Sequence, residues 1–326
     1  MVTETLDPNA ICETALRWHR DGIGAVVATV IDTWGSAPRP VGSQLAISGH
    51  GDMIGSVSGG CVEGAVITEA LDLIAAPAMK ILEFGVSDED AFSVGLACGG
   101  TIRVLLEPVG AVMPEALLAQ IVAARETRTP VAYVVDLTRG ARRVADPAEF
   151  AARFASDRSG IEADGETFVA IHNPPARIAV IGAVHIAQAL LPMARIAGFD
   201  VHLIDPRGAF ASGSRFPSEE ISDDWPDEAL DRYGLDARTA VVTLTHDPKL
   251  DDPALMRALT SKAFYVGSLG STRTHAKRVT RLTQAGLSAD QIARLHAPVG
   301  LKIKAQSPAE IAVSILGQII EVMRGD

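Results

Sequence analysis

The sequence predicts an α/β protein with a mixed α/β N-terminal domain and a doubly wound parallel sheet in its C-terminal domain. From Arg177 onward, short β-branched runs alternate with helical patterns, which is typical of βαβ crossovers around a parallel sheet. A chain of 326 residues exceeds what one modest core organises, and the consecutive prolines in 172–176 favour a linker. We therefore expect domains at 1–172 and 173–326.

Composition favours a folded protein and disfavours several functional classes. Apolar residues make up 48% of the chain and charged residues 21%, which argues against disorder. The formal net charge of −11 disfavours a general nucleic-acid binder, because a polyanion would be repelled. No apolar run reaches the length of a membrane span, and the first residues do not resemble a secretion signal. The three widely spaced cysteines suit a reducing compartment, so we expect a cytoplasmic protein with free thiols.

The elements of the N-terminal half follow from its hydrophobic patterns. An amphipathic stretch at 10–20 precedes a buried, β-branched strand at 25–32. The other predicted elements here are strands at 45–48, 80–84, 101–107 and 131–136 and helices at 62–76 and 114–125. The segment 138–175 is polar and rich in turn-forming residues, and we predict no regular element in it.

The C-terminal half begins with a strand at 177–183, a helix at 184–199 and a second strand at 200–207. The later predicted elements are strands at 239–243 and 264–266 and helices at 253–261, 273–285 and 308–324. This order predicts a Rossmann-like domain, because strands separated by helices of that length pair in parallel.

The turn after the first C-terminal strand matches a dinucleotide-binding fingerprint with one defect. Gly182 permits the tight turn, and Asp205 at the end of the next strand is placed to accept hydrogen bonds from a ribose. Val184, however, stands where a glycine usually lets the backbone approach a pyrophosphate, and its β-branched side chain obstructs that approach. The fingerprint therefore predicts the fold, and it leaves open whether a dinucleotide binds.

Two further loops follow predicted strands at the sheet edge where open α/β sheets bind ligands. One contains His246, and the other joins a strand to a helix through Gly267, Ser268, Gly270 and Ser271. That helix carries basic residues, including Arg273, His275, Lys277 and Arg278. A glycine-rich turn at a helix N-terminus offers N–H donors and the positive end of the helix dipole, so we predict a phosphate or pterin-phosphate contact there. A plain loop with a solvated basic face is the alternative.

Two cysteines of the N-terminal half lie in glycine-rich loops. Cys61 stands where such a loop meets the predicted helix, a position that favours the thiolate, and Glu63 follows in its first turn. Cys98 lies in a second glycine-flanked loop, and small buried thiols in tight turns are the alternative for both. We assign Cys12, on an apolar helix face, to packing. Zinc spacings are missing from the sequence, and Val57 occupies the position that a serine elbow at 55–59 would need for serine, so neither a structural zinc nor a serine hydrolase is expected.

Seven segments together resemble the xanthine dehydrogenase accessory protein family of the XdhC type. They are distributed along most of the chain and keep their order: 35–47, 55–66, 84–90, 95–108, 244–255, 265–278 and 292–315. The resemblance implies a chaperone that binds molybdenum cofactor, protects it during sulfuration and helps insert it into a xanthine dehydrogenase-type hydroxylase. It also implies a homodimer without turnover or catalytic residues of its own, and a cysteine desulfurase is a candidate second partner.

By that resemblance, Cys61 and Cys98 would contact or protect the molybdenum, and the turn at Gly182 would help to hold a pterin phosphate or a nucleotide. The full set of candidate cofactor-binding residues is Cys61, Cys98, Glu63, Gly182, His185, Asp205, His246, Gly267, Ser268, Gly270, Ser271, Arg273 and His275. The chain departs from the family pattern at Val184, Lys302 and Lys304, where glycine, aspartate and glycine are usual. These departures indicate a different ligand or a divergent paralogue.

We prefer the chaperone function over three alternatives. An NAD(P)-dependent oxidoreductase would use the C-terminal domain. A thiol or metal-handling enzyme would use Cys61 as a nucleophile. A scaffold would bind the hydroxylase without touching the cofactor.

Overall fold

The computed structural model describes residues 10–37, 39–85, 100–208, 215–217 and 219–325. The chain divides into two compact units, Met1–Pro174 and Pro175–Asp326. No helix in these described ranges is long and apolar enough to span a membrane.

The N-terminal unit contains two antiparallel sheets. Its strands are β1 Ala25–Trp34, β2 Gln44–Ser48, β3 Met53–Gly55, β4 Lys80–Phe84, β5 Thr101–Pro108, β6 Val131–Asp136, β7 Arg142–Ala145, β8 Gly160–Ile161 and β9 Thr167–His172. Its α-helices are α1 Ile11–Arg20, α2 Glu63–Ala75, α3 Glu115–Glu126 and α4 Ala151–Ser156, and a 3-10 helix covers Pro147–Phe150. The strand orders are β3-β2-β1-β5-β4 and β7-β6-β9-β8.

Strand β1 is buried on both faces, which explains its unbroken apolar run. Val27 and Ile31 pack in the cluster that contains side chains of α1 and α3, whereas Val26 and Ala28 pack in the cluster that contains α2. Side chains alternate between the faces of a strand, so a strand between two layers needs apolar residues at both positions. This packing places α2, and the loop before it, on one face of the first sheet.

The expectation that 138–175 holds no regular element is wrong. Strands β7, β8 and β9 lie there and pair with β6 to form the second sheet. Phe168, Val169 and Ala170 are buried in the middle of β9, and the run of four apolar residues that they form with Ile171 was too short to stand out in a polar segment.

The C-terminal unit is a doubly wound parallel sheet, as the sequence predicted. Its strands are β10 Arg177–Ile181, β11 Asp200–Ile204, β12 Ile221–Ser222, β13 Thr239–Thr243, β14 Tyr265–Ser268 and β15 Leu295–His296. Its helices are α5 His185–Ile196, α6 Pro226–Tyr233, α7 Pro248–Thr260, α8 Thr272–Gln284, α9 Ala289–Ala293 and α10 Pro308–Arg324. The strand order is β12-β11-β10-β13-β14-β15, and all neighbours pair in parallel.

Helices cover both faces of this sheet. Ile178 and Val180 of β10 pack in the cluster that contains α5 and α10, whereas Ala179 and Ile181 pack in the one that contains α6 and α7. The sheet order reverses between β10 and β13, so the loops after these strands border the crevice where open α/β sheets bind ligands. Helix α7 begins five residues before its predicted start, at Pro248, because the Asp247 side chain caps it by accepting from Lys249 N at 2.9 Å.

Candidate functional site

The loop that carries Cys61 joins β3 to α2, and we call residues 56–62 the cysteine loop. Gly59 and Gly60 both have positive φ, at 73° and 114°, so the chain makes a turn there that other residues adopt only with strain. The Cys61 side chain that follows is exposed to solvent. The structure therefore presents this thiol on a tight glycine turn at the start of a helix, as the sequence indicated.

Glu63 organises the cysteine loop from the first turn of α2. Its carboxylate accepts hydrogen bonds from Ser56 Oγ at 2.7 Å, Ser58 N at 2.9 Å, Gly60 N at 2.9 Å and Val57 N at 3.2 Å, and also from Ser58 Oγ. Burial opposes its ionisation, yet the hydrogen bonds from the two serines lower its pKa to about 2. Because these donors come from its own loop, Glu63 shapes the loop that displays the thiol.

Of the other two cysteines, the described residues include Cys12 but not Cys98. Cys12 is buried in the core, where its Sγ donates to Gln44 Oε1 at 3.7 Å and burial raises the pKa of its thiol to about 12. This agrees with its assignment to packing. Cys98 lies outside the described residues, so its meeting with Cys61 stays a prediction.

The fingerprint turn follows β10 in the C-terminal unit. Gly182 has a φ of 113°, and a Cβ there would lie 2.7 Å from Thr245 Cγ2, so only glycine fits. Val184 takes the N-cap position of α5 without a side-chain cap, and His185, the first residue of the helix, is exposed. The turn has the predicted strand–helix geometry, with a valine side chain where the pyrophosphate would approach.

Asp205 lies at the end of β11 and is fully buried. Its Oδ2 accepts from Ala183 N at 2.8 Å and from Arg207 Nη2 at 2.8 Å, and its Oδ1 accepts from Arg207 N at 3.0 Å and Nε at 2.9 Å. Burial opposes its ionisation, but the bonds from Arg207 and Ala183 lower its pKa. The carboxylate that the fingerprint offered to a ribose thus ties the fingerprint turn to Arg207.

The predicted glycine loop after β14 is shorter than expected. Gly267 and Ser268 are the last two residues of the strand, and both are buried. Ser268 Oγ is 2.5 Å from Thr243 Oγ1, and a Cβ on Gly267 would lie 2.6 Å from Val299 Cγ2. These two residues therefore pack inside the sheet, and the exposed turn before α8 starts only at Leu269.

Ser271 caps the start of α8. Its Oγ accepts from Thr274 N at 3.2 Å, and Gly270 before it has a φ of 142°. The cap and the glycine set the direction in which α8 leaves the sheet.

A cavity of about 260 Å³ lies between the N-terminal part of α7 and the side of α8. We call it the basic cavity, and it is lined by His246, Pro248, Asp251, Arg273, Thr274, Lys277, Arg278 and Arg281. Of the candidate residues predicted from the sequence, it brings together His246, which has a φ of 62°, and Arg273. His275, one turn into the helix, is not part of the lining, and burial together with Arg278 lowers its pKa.

Sequence reasoning did not select Asp251, Lys277 or Arg281 as site residues. The spacing of Arg273, Lys277 and Arg281 was an available signal, because residues four apart share one face of a helix. Asp251 had no such signal. Within the described ranges, no group of three or more His, Cys, Asp and Glu side chains could hold a metal ion.

The chain thus combines a doubly wound C-terminal unit that has a modified fingerprint with an N-terminal unit that has an exposed cysteine on a glycine loop. Residues 178–319 match the XdhC Rossmann domain, and residues 18–85 match the XdhC and CoxI family. The chain belongs to this XdhC and CoxI family.

Relatives of the chain extend along almost its whole length. It is 30% identical to the molybdenum cofactor insertion chaperone PaoD of Escherichia coli K12, over 98% of this chain and 89% of PaoD. It is 27% identical to a probable xanthine dehydrogenase subunit of Bacillus subtilis 168, over 92% of this chain and 93% of that protein. A crystal structure described as a xanthine dehydrogenase from Bacillus halodurans aligns with a TM-score of 0.76 and 26% identity, over 96% of this chain and 95% of the other.

Proposed function

We propose that this protein is an accessory chaperone that binds molybdenum cofactor and helps to insert its sulfurated form into a xanthine dehydrogenase-type hydroxylase. The observation that carries this proposal is the similarity to a molybdenum cofactor insertion chaperone along 98% of the chain. The name of the Bacillus subtilis relative supports the kind of client enzyme.

The cysteine loop supports a direct role in holding the cofactor. Molybdenum in this cofactor has soft sulfur ligands, and a thiolate is a suitable soft partner. Cys61 is exposed on a loop that Glu63 fixes with hydrogen bonds, so the thiol has a defined position before the cargo arrives. In this proposal Cys61 contacts or shields the molybdenum, and Glu63 positions the loop. Cys98 is a second candidate for the same contact.

The C-terminal unit has groups that suit an anionic ligand. The exposed turn at Gly270 and Ser271, the side chain of Arg273 and the fingerprint turn at Gly182 and His185 lie near carboxyl ends of parallel strands. Donors at such helix N-termini suit a phosphate group. We propose that the protein acts in the cytoplasm as a homodimer, with the hydroxylase and a cysteine desulfurase as partners.

The alternative, an NAD(P)-dependent oxidoreductase, has the sheet order of a dinucleotide-binding domain in its favour. Two contacts weigh against it. Val184 places a β-branched side chain at the pyrophosphate position, and both carboxylate oxygens of Asp205 already accept hydrogen bonds from Arg207, one of them also from Ala183 N. We therefore place it second.

The test is anaerobic mixing of the purified chain with molybdenum cofactor, followed by gel filtration and molybdenum analysis. We expect molybdenum to elute with the wild type. The amount of molybdenum in the protein peak should fall about tenfold or more in Cys61→Ala, because this variant lacks the thiol that contacts the metal. Cys12→Ala is the matched control, because it removes a buried thiol far from solvent. It should retain the metal.

Two results would count against the proposal. Absence of molybdenum from the wild-type peak contradicts cofactor binding by this chain. Full retention by Cys61→Ala contradicts the role of Cys61. If the wild type binds no molybdenum and Cys61→Ala still supports hydroxylase maturation, the scaffold function is favoured.

A further inference from the structure

The basic cavity has an excess of positive charge. Among the cations that line it, Arg281 is already paired with Asp252, with Nε–Oδ2 at 2.5 Å and Nη2–Oδ1 at 2.9 Å. The remaining lining cations are Arg273, Lys277 and Arg278. Asp251 is the lining carboxylate that faces them, so three positive charges stand against one negative charge. The balance suits a ligand with about two negative charges.

Two of these charged groups are buried with incomplete hydrogen bonding. Arg278 is only 1% exposed, and its Nη2 donates to Leu269 O at 2.9 Å. Its Nε and Nη1 have no acceptor among the described protein atoms, and Oδ2 of Asp251, also 1% exposed, has no donor there. Buried charged groups are normally hydrogen-bonded, because leaving them unsatisfied is costly.

Arg278 and Asp251 do not satisfy each other. The distance from Arg278 Nη2 to Asp251 Oδ2 is 3.8 Å, which is too long for a hydrogen bond. Thr245 Oγ1 donates to the other carboxylate oxygen at 2.6 Å and so fixes the carboxyl group in this position. Unused donors on Arg278 and one unused acceptor on Asp251 therefore lie buried in the wall of the cavity.

A ligand that meets both groups must accept hydrogen bonds from the guanidinium and donate one to the carboxylate. A phosphate with one remaining proton does this, since its ionised oxygens accept and its hydroxyl donates. Sulfate has the same charge and nearly the same shape, but it has no proton to donate. We propose that the basic cavity binds free hydrogenphosphate, which keeps one proton to donate while carrying two negative charges.

Calorimetric titration of the full chain near pH 8 tests this with inorganic phosphate and sulfate as the matched pair. We expect sulfate to bind about tenfold more weakly, which is the effect of losing one hydrogen bond to a charged group. In Asp251→Asn the preference should disappear, because an amide can donate to sulfate. Methyl phosphate is almost fully ionised near pH 8 and, like sulfate, has no proton to donate, so it should also bind about tenfold more weakly than inorganic phosphate. Binding as tight as that of inorganic phosphate would contradict the role of the proton.

The exposed residues of the lining provide variants that keep the fold. Arg273→Gln combined with Lys277→Gln should weaken phosphate binding about tenfold or more, because two charged donors are lost. Lys262→Gln is the control, since it removes an exposed charge of the same unit outside the cavity, and it should bind phosphate like the wild type.

Three results would overturn the site: no phosphate binding by the wild type, equal affinity for phosphate and sulfate, or an unchanged affinity in the double variant. The site does not depend on molybdenum cofactor being the cargo. If the chain binds molybdenum cofactor but not phosphate, only this site is rejected. If it binds phosphate but not molybdenum cofactor, only the chaperone function is rejected.

Discussion

Glu63 and Asp251 are both acidic side chains in the first turn of a helix, and both are almost completely buried, at 6% and 1% exposure. Burial by itself acts to raise the pKa of both carboxyl groups. In Glu63 the hydrogen bonds from its own loop outweigh burial and lower the pKa to about 2. In Asp251 burial outweighs the bond from Thr245 and the nearby Arg278, so its pKa stays raised.

The difference shows how one kind of residue in one kind of place serves two purposes. A carboxylate whose donors all come from the neighbouring backbone and serines fixes the shape of a loop. A carboxylate with an unused oxygen beside a buried guanidinium is arranged for contact with a molecule outside the chain. The predictions below test the two sides of this comparison.

The largest expected effect is on the Glu63 side. Glu63→Gln should lower the free energy of unfolding of the N-terminal unit by about 3 kcal/mol, because the loop donors lose a charged acceptor. Urea unfolding with pulsed hydrogen exchange, read from peptides of each unit, measures this. The control is Glu69→Gln in the same helix as Glu63, which removes the partly exposed carboxylate that pairs with Lys80. It should lower the free energy of unfolding by less than about 1 kcal/mol. Equal losses in the two variants would mean that the carboxylate does not hold the loop.

That contribution should vanish in acid. The pKa of Glu63 is lowered from 4.5 to about 2 in the folded protein, so its stabilising effect is complete above about pH 4.5 and is lost as the pH falls toward 2. The measurement is the stability difference between the wild type and Glu63→Gln at several pH values. A difference that stays constant between pH 5 and pH 2.5 would show that the ionised form is not what the loop binds.

The smallest expected effect is on the Asp251 side and has the opposite sign. Burial raises the pKa of Asp251 above 3.8, so its ionisation is less favourable in the folded protein than in the unfolded chain, and stability is lost as the pH rises through the folded pKa. Relative to Asp251→Asn, the wild-type C-terminal unit should therefore become less stable from acid to neutral pH. The same exchange measurement detects this, and a slope like that of the Glu63 pair would contradict the assigned environment.

Much of the fold was predictable because its signals are local. The strands Val131–Asp136 and Thr239–Thr243 and the helix Pro308–Arg324 have the predicted bounds. The helix begins with Ser307 and Glu310 in a capping box, a signal contained within four residues. Strand β7 was missed for the opposite reason. Its Arg142 has a nearly buried side chain that pairs with Glu107 at 2.6 Å, and that partner lies 35 residues earlier in the chain.

The same limit applies to the candidate site. Cys61 and its glycines are adjacent in sequence, so the cysteine loop could be predicted, and so could the serine cap of α8. The proximity of Arg278 to Asp251 could not be predicted from the sequence, because it depends on how α7 packs beside α8. The fingerprint also assigned Asp205 to a ribose, whereas the fold brings it to Arg207 and the turn at Ala183.

Each compact unit is a continuous stretch of chain, and the boundary falls at the Pro174–Pro175 peptide. Every sheet is therefore encoded without interruption on one side of that point. Recombination at this one position would exchange a whole cysteine-bearing unit or a whole nucleotide-fold unit without dividing a sheet. The two units can thus diverge in evolution at different rates, so that the N-terminal unit keeps its cysteine loop while the ligand preference of the C-terminal unit changes.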